Sequence, residues 1–486
     1  MSTDDTLQLA RVPSGIEGLD AILQGGFLQG GVYIVQGVPG AGKTIFANEI
    51  CFKHVAKGNK AVYVTLLAES HTRMLQHLRP MSFFDEAVIP ADLYYVSAFR
   101  TLEEEGLKGL VSLLRREIKS QQASLLVLDG LVAAEETAGS DREFKKFIHE
   151  LQAHAAAHDC TILLLTSGPT RVMNAEHTMV DGLIELDDQL FEVRTQRSLQ
   201  VRKFRGSGFL RGRHAFRITA DGIMLFPRIE AAFAGIVRPN HARRSKMSTG
   251  VAGFDVMLSG GIPALSTTAI VGATGTGKTT LGLHFLSQCS KNEPGLLFGF
   301  FEPPERLIEK AAAIGIDLAG LVKRGDVEVM WQVQGENILD ELAHRLLDAV
   351  KRRGVRRLVI DGMGGFLEAA VNRERISRYF ACLTNELRSL GVTVVINVEA
   401  RDFMGASLTL PVSGFSALIE NVVFLRFVER ESCLRRMISV LKVRDSDYDI
   451  RLREFQITNH GVDIGEPFHG AEGISRGIAH EIAPNK

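Results

Sequence analysis

Two octapeptides in this chain are built to hold phosphate. Gly37-Val38-Pro39-Gly40-Ala41-Gly42-Lys43-Thr44 and Gly272-Ala273-Thr274-Gly275-Thr276-Gly277-Lys278-Thr279 both satisfy G-x-x-x-x-G-K-[ST]. Each follows an apolar run and precedes a helical pattern, the context the motif requires. The glycines Gly37, Gly40, Gly42, Gly272, Gly275 and Gly277 let backbone N–H groups turn onto phosphate oxygens. Ala41, Thr276 and Thr280 complete the set expected to line a nucleotide. Lys43 and Lys278 reach the β- and γ-phosphates, and the hydroxyls of Thr44 and Thr279 are ligands for magnesium. ATP and Mg2+ are therefore the expected ligands.

Hydrolysis needs more than a phosphate cradle. Asp129 and Asp361 each end an apolar run, where a charge is costly unless something uses it. A second magnesium contact is the expected use, and a helix cap is the plainer alternative. Glu69 and Glu302 follow the second strand of each half, which makes them candidates to orient or deprotonate water. Lys203 and Arg205 stand two apart in a strand pattern and so share a face, as do Lys442 and Arg444. Such a fork suits a γ-phosphate held by a neighbouring subunit, as an arginine finger would. Its repetition in both halves argues against a merely solvated strand end.

The duplication extends beyond the loops. Gly15-Ile16-Glu17-Gly18-Leu19-Asp20 returns as Gly250-Val251-Ala252-Gly253-Phe254-Asp255, at the same distance from its loop lysine. Phe216-Arg217-Ile218-Thr219 returns as Phe455-Gln456-Ile457-Thr458. One domain has been copied, with expected boundaries of 13–237 and 247–468, a lead at 1–12, a polar basic linker at 238–246 and a loosely ordered tail at 469–486. In the first half, the runs at 31–36, 61–67, 124–129 and 161–166 are apolar without alternation, the mark of strands buried on both faces of a parallel sheet. Helical patterns separate them, for example at 44–54 and 102–120. The second half repeats the order. The expected fold is α/β, a mainly parallel sheet with flanking helices in each half. A C-terminal β-hairpin closes each half, turning at Thr195-Gln196-Arg197 in the first.

Composition narrows the class. A net charge of −1 with 23% charged residues argues against a nucleic-acid-binding chain. No apolar run approaches the ~20 residues that span a bilayer, and Met1-Ser2-Thr3-Asp4-Asp5 does not read as a signal peptide. The five cysteines are scattered without a C-x-x-C, which suits a reducing cytoplasm. His154 and His158 share a helical face but lack the rest of a recognised metal motif.

The tandem loops, the Gly-x-x-Gly-hydrophobe-Asp lead and the Lys-x-Arg followed by Phe-x-Ile-Thr resemble the KaiC-type circadian clock ATPases of the RecA superfamily. The resemblance runs from about Pro13 to about Phe468. It implies two tandem RecA-like domains in an ATP-promoted, double-ring homohexamer, with ATP at every subunit interface. It also implies contacts made in trans by Lys203, Arg205, Lys442 and Arg444, with Ser207 and Ser446 beside the nucleotide. The chain departs from the pattern at definite places. The clock proteins' paired glutamates are matched by Ala68-Glu69 and Phe301-Glu302. Their phosphorylated Ser-Thr pair is matched by Ser416-Ala417, with Pro411 at a nearby threonine position, and Asp445 stands where glycine is expected. The leading expectation is an ATP-hydrolysing signalling hexamer that engages a further protein. The alternatives are a serine/threonine autokinase modifying Ser416 and a DNA-acting recombinase or helicase, the latter disfavoured by the charge balance.

Overall fold

Unbroken apolar runs bounded by glycine and polar residues become the central parallel strands, buried along nearly all their length because helices cover both faces of the sheet. The computed structural model describes residues 10–67, 71–167, 179–233, 245–400, 418–430, 433–467, 471–472 and 480–481. Its contacts divide the chain into two units, Met1–Ala232 and Phe233–Lys486. Most of the expected linker and tail, together with Glu69, Pro411 and Ser416, lies outside the described residues.

The first unit contains β1 (Val32–Gly37), α1 (Lys43–Val55), β2 (Ala61–Thr65), β3 (Leu93–Ser97), α2 (Phe99–Gln121), β4 (Leu125–Asp129), α3 (Asp141–Ala157), β5 (Thr161–Thr166), β6 (Gly182–Phe191), β7 (Arg194–Phe204), β8 (Arg213–Thr219) and β9 (Gly222–Phe226). They form a nine-stranded sheet in the order β9-β8-β7-β6-β1-β5-β4-β2-β3. The strands from β6 through β1 to β3 are parallel, and β7, β8 and β9 extend the sheet antiparallel. Successive strand residues point to opposite faces. Tyr33, Val35, Tyr63 and Val127 pack with Phe46 and Ile50 of α1. Val32, Ile34, Val62 and Leu126 pack with Leu110 and Leu114 of α2 and Phe147 and Ile148 of α3.

The second unit repeats this topology with β10 (Thr267–Gly272), α4 (Lys278–Ser287), β11 (Gly295–Gly299), α5 (Pro304–Ala313), β12 (Val327–Trp331), α6 (Leu339–Arg353), β13 (Arg357–Asp361), α7 (Ile376–Ser389), β14 (Thr393–Glu399), β15 (Asn421–Arg430), β16 (Cys433–Val443), β17 (Arg453–Thr458) and β18 (Gly461–Pro467). The order is β12-β11-β13-β14-β10-β15-β16-β17-β18. The fold is thus two RecA-like α/β domains, each a mainly parallel sheet flanked by helices.

The structure alters two sequence-based expectations. The hairpin joining β6 to β7 turns at Glu192 and Val193, where Phe191 pairs with Arg194, rather than at Thr195–Arg197. Thr195, Gln196 and Arg197 are ladder residues on a half-exposed strand, so their polarity marked a solvent face and not a turn. The extension is also longer than a hairpin, since β8 and β9 continue it.

His54 on α1 is buried and pairs through Nε2 with Ser124 Oγ at 2.8 Å. Burial, assisted by the Lys57 charge, pulls its pKa down to about 4. The folded state therefore keeps the ring neutral where the unfolded chain takes up a proton. Stability of this unit should fall as pH drops from about 6.5 towards 4, by up to about 3 kcal/mol. His54→Gln removes the titration, so its melting temperature should fall less than that of the wild type between pH 7 and pH 4.5. An equal fall would show that His54 is not the group responsible.

Candidate nucleotide sites

Each phosphate loop leaves the C-terminal end of the strand at the centre of its sheet, and its lysine opens the next helix. The turn into that helix needs a left-handed residue. Gly42 and Gly277 supply it with φ of 98° and 105°. Lys43 Nζ donates to the carbonyls of Gly37 at 2.7 Å and Val38 at 3.1 Å. Lys278 Nζ does the same to Gly272 at 2.7 Å and Ala273 at 2.8 Å. Burial lowers the pKa of both lysines, and the Asp129 charge opposes this at Lys43. At Lys278 the opposing charges are Glu399 and Asp361, while Lys310 adds to the lowering.

The strand order brings each aspartate to its loop. Thr44 Oγ1 donates to Asp129 at 3.5 Å, and Thr279 Oγ1 donates to Asp361 at 3.2 Å. A hydroxyl beside a carboxylate is a hard-oxygen donor set of the kind magnesium takes, completed by waters and phosphate oxygens. Burial lifts both carboxyls above their ordinary range, against the hydrogen bonds they accept.

The two aspartates are held differently. Asp129 accepts from Tyr63 Oη at 2.8 Å, reaching from β2. Asp361 accepts from Asn397 Nδ2 at 2.7 Å, reaching from β14, and the buried Oδ1 of Asn397 has no partner among the described residues. Sequence reasoning missed both holders, because strand pairing alone brings them to the aspartates. It also missed Arg436, whose Nε donates to Gly275 O of the second loop at 3.2 Å and whose guanidinium lies over Phe427.

Glu302 lies past the end of β11, bonded to Lys310 Nζ of α5 at 2.8 Å. Phe301 beside it is 52% exposed, and a Cβ on Gly362 would meet its ring at 2.3 Å. Glu69 is outside the described residues, so no geometry is assigned to it.

The forks stand at the other end of the sheet from their own loops. Lys203 pairs with Leu183, which pairs with Ile34 early in β1, whereas the loop begins at Gly37. Lys442 pairs with Val422, beside Ala269 early in β10, whereas its loop begins at Gly272. An extra residue bulges the ladder just before each fork, between Leu183 and Ile184 and between Val422 and Val423. Bulges of this kind re-aim the side chains that follow. Arg205 donates to Met179 O at 3.1 Å and Lys442 to Ile419 O at 2.9 Å, so both forks are tied to the chain that enters the adjacent strand. Ser207 Oγ accepts from Arg11, and Ser446 lines a cleft with Arg444, Lys246 and Arg388. Asp445 takes a left-handed φ of 60°, matching Gly206 at 74° in the first unit, so the aspartate keeps the glycine conformation.

A parallel sheet carrying a phosphate loop and a hydroxyl–carboxylate pair at one end, built twice, defines a tandem P-loop ATPase. The family model described as "ATPase: KaiC" matches residues 12–230 and again 247–468. The chain belongs to the KaiC ATPase family. Its similarity to curated relatives runs nearly end to end. It is 26% identical to the circadian clock oscillator protein KaiC of Acaryochloris marina, over 98% of this chain and 92% of that one. With the protein of the same name from Prochlorococcus marinus (strain MIT 9313) it shares 24% identity, over 99% and 97%. With that of Thermosynechococcus vestitus it shares 25%, over 98% and 93%. No helix among the described residues is long and apolar enough to cross a membrane.

Proposed function

We propose that this ATPase is a magnesium-dependent, ATP-promoted homohexamer of the cytoplasm. Each nucleotide lies between the phosphate loop of one subunit and the fork of the next. The observation that carries this reading is the separation of fork from loop along the same sheet. At about 3.3 Å per strand residue, the fork cannot reach a γ-phosphate on its own loop by a side-chain rotation, whereas a neighbour's loop is open to it.

Within a site, Gly37 to Thr44, or Gly272 to Thr280, bind the phosphates. Thr44 with Asp129, and Thr279 with Asp361, hold magnesium. The metal draws charge off the phosphates when bound. Glu69 and Glu302 orient the attacking water, and Lys203, Arg205, Lys442 and Arg444, with Ser207 and Ser446, complete the neighbour's site. Head-to-tail contacts of this type close into rings. ATP that binds the assembled form stabilises it by mass action. The relatives' description as clock oscillator proteins supports a signalling output read by another protein.

The deciding experiment combines phosphate release with size determination. The wild type should release phosphate only with magnesium and should assemble when ATP is added. The Lys43→Ala/Lys278→Ala chain should do neither. A wild-type monomer that turns over ATP at full rate would contradict the shared site.

A further inference from the structure

A carboxylate stands over the second phosphate loop that has no counterpart over the first among the described residues. Glu399 ends β14 opposite Gly272, and its Oε1 accepts from the Thr274 hydroxyl at 2.6 Å. At the matching register the first unit carries Ser167 beside β5, and its loop carries Pro39 in place of Thr274. Pro39 has no side-chain donor. Donor and acceptor therefore occur together in the second unit and are both lacking at the matching positions of the first.

A negative group beside a phosphate loop opposes ATP binding, so its presence there calls for a use. The strand order supplies one. β14 lies between β10, which carries the loop, and β13, which carries Asp361. The end of β14 therefore lies between the loop, with Lys278, and Asp361, the groups that would hold a γ-phosphate and its magnesium. The charges of Glu399 and Asp361 both act on Lys278. Glu302 approaches from β11, on the far side of β13, and is engaged by the Lys310 ammonium. The bond from Thr274 to Glu399 is neutral at the donor and leaves a second carboxylate oxygen to accept from water.

We propose that Glu399 is a water-orienting carboxylate of the second nucleotide site, working beside Glu302 on the attacking water. This rests on the ATPase reading above. The water oxygen forms a bond to the γ-phosphorus as the bond to the β,γ-bridging oxygen breaks. That electron pair leaves on ADP. The water's proton passes to the Glu399 carboxylate and then to solvent or released phosphate.

The test uses the full chain with Lys43→Ala to silence the first site. Glu399→Gln should lower kcat on the order of 100-fold, while KM for ATP stays level or falls because a like charge is gone. Thr274→Val cuts the hydrogen bond but keeps the carboxylate, so its loss of kcat should be smaller than that of Glu399→Gln, whatever the change in the loop does to KM. Parental turnover in Glu399→Gln would overturn the proposal, as would a rise in KM matched by Thr274→Val, which would make the pair a loop brace. Glu302→Gln in the same background separates the two readings. Its slowing beside an unchanged Glu399→Gln removes Glu399 alone, whereas a Lys43→Ala parent with no turnover removes hydrolysis at the second site altogether.

Discussion

Lys43→Ala should abolish ATP binding at the first site and leave the second site filled, and Lys278→Ala should do the reverse. Each ammonium is half-buried within its loop and bonded to two loop carbonyls. Alanine can supply neither the charge nor the donors. A charge-assisted hydrogen bond is worth about 1.5–3 kcal/mol, or roughly 10- to 150-fold in affinity. The lost bonds to a multiply charged phosphate should reach at least that range. Independence follows because each loop, its helix and its aspartate belong to a single unit with its own core. Equilibrium binding of a fluorescent ATP analogue should give half the wild-type stoichiometry for either single variant. Loss of both sites in one folded single variant would show that the loops are not separate.

Arg205→Ala combined with Arg444→Ala should leave both loops able to bind ATP while hydrolysis collapses and the ring loosens. A cation delivered to a γ-phosphate from a neighbour is worth about 10³ to 10⁵ in turnover. The loss should far exceed that from an exposed ion pair, which contributes about 0–1 kcal/mol. Complementation gives the sharper result. Mixed with a Lys43→Ala/Lys278→Ala chain, the fork variant should regain activity, because some interfaces then set an intact loop against an intact fork. The mixture must be shown by size and labelling to share rings. Mixed rings without regained activity would remove the trans role and leave the forks as strand ends tied to Met179 and Ile419.

What the sequence revealed and what it hid divide along physical lines. The loops were legible because left-handed glycines and a lysine at fixed spacing are local requirements, and Gly42 and Gly277 meet them by backbone angle. Asp129 and Asp361 were legible because a charge closing an apolar strand needs a reason. Each does lie beside its loop threonine. Tyr63, Asn397, Glu399 and Arg436 were hidden because they arrive through the pairing of strands distant in sequence. The hairpin turn was misplaced because an outward-facing strand is as polar as a turn. Its real corner includes Glu192 at φ 54°, a residue with no strong turn preference. The repeated bulges ahead of the forks left no compositional mark at all.

The polarity of each sheet, with loop at one end and fork at the other, also bears on heredity. In the proposed ring no chain owns a complete site, so a lesion is expressed at a boundary shared with a neighbour. A faulty copy made alongside a sound one would impair sites whose loops are wholly normal, giving partial dominance. Two alleles damaged at opposite ends of the sheet would cover for one another, and two damaged at the same end would not. The unit on which selection acts would then be the junction between chains rather than the chain.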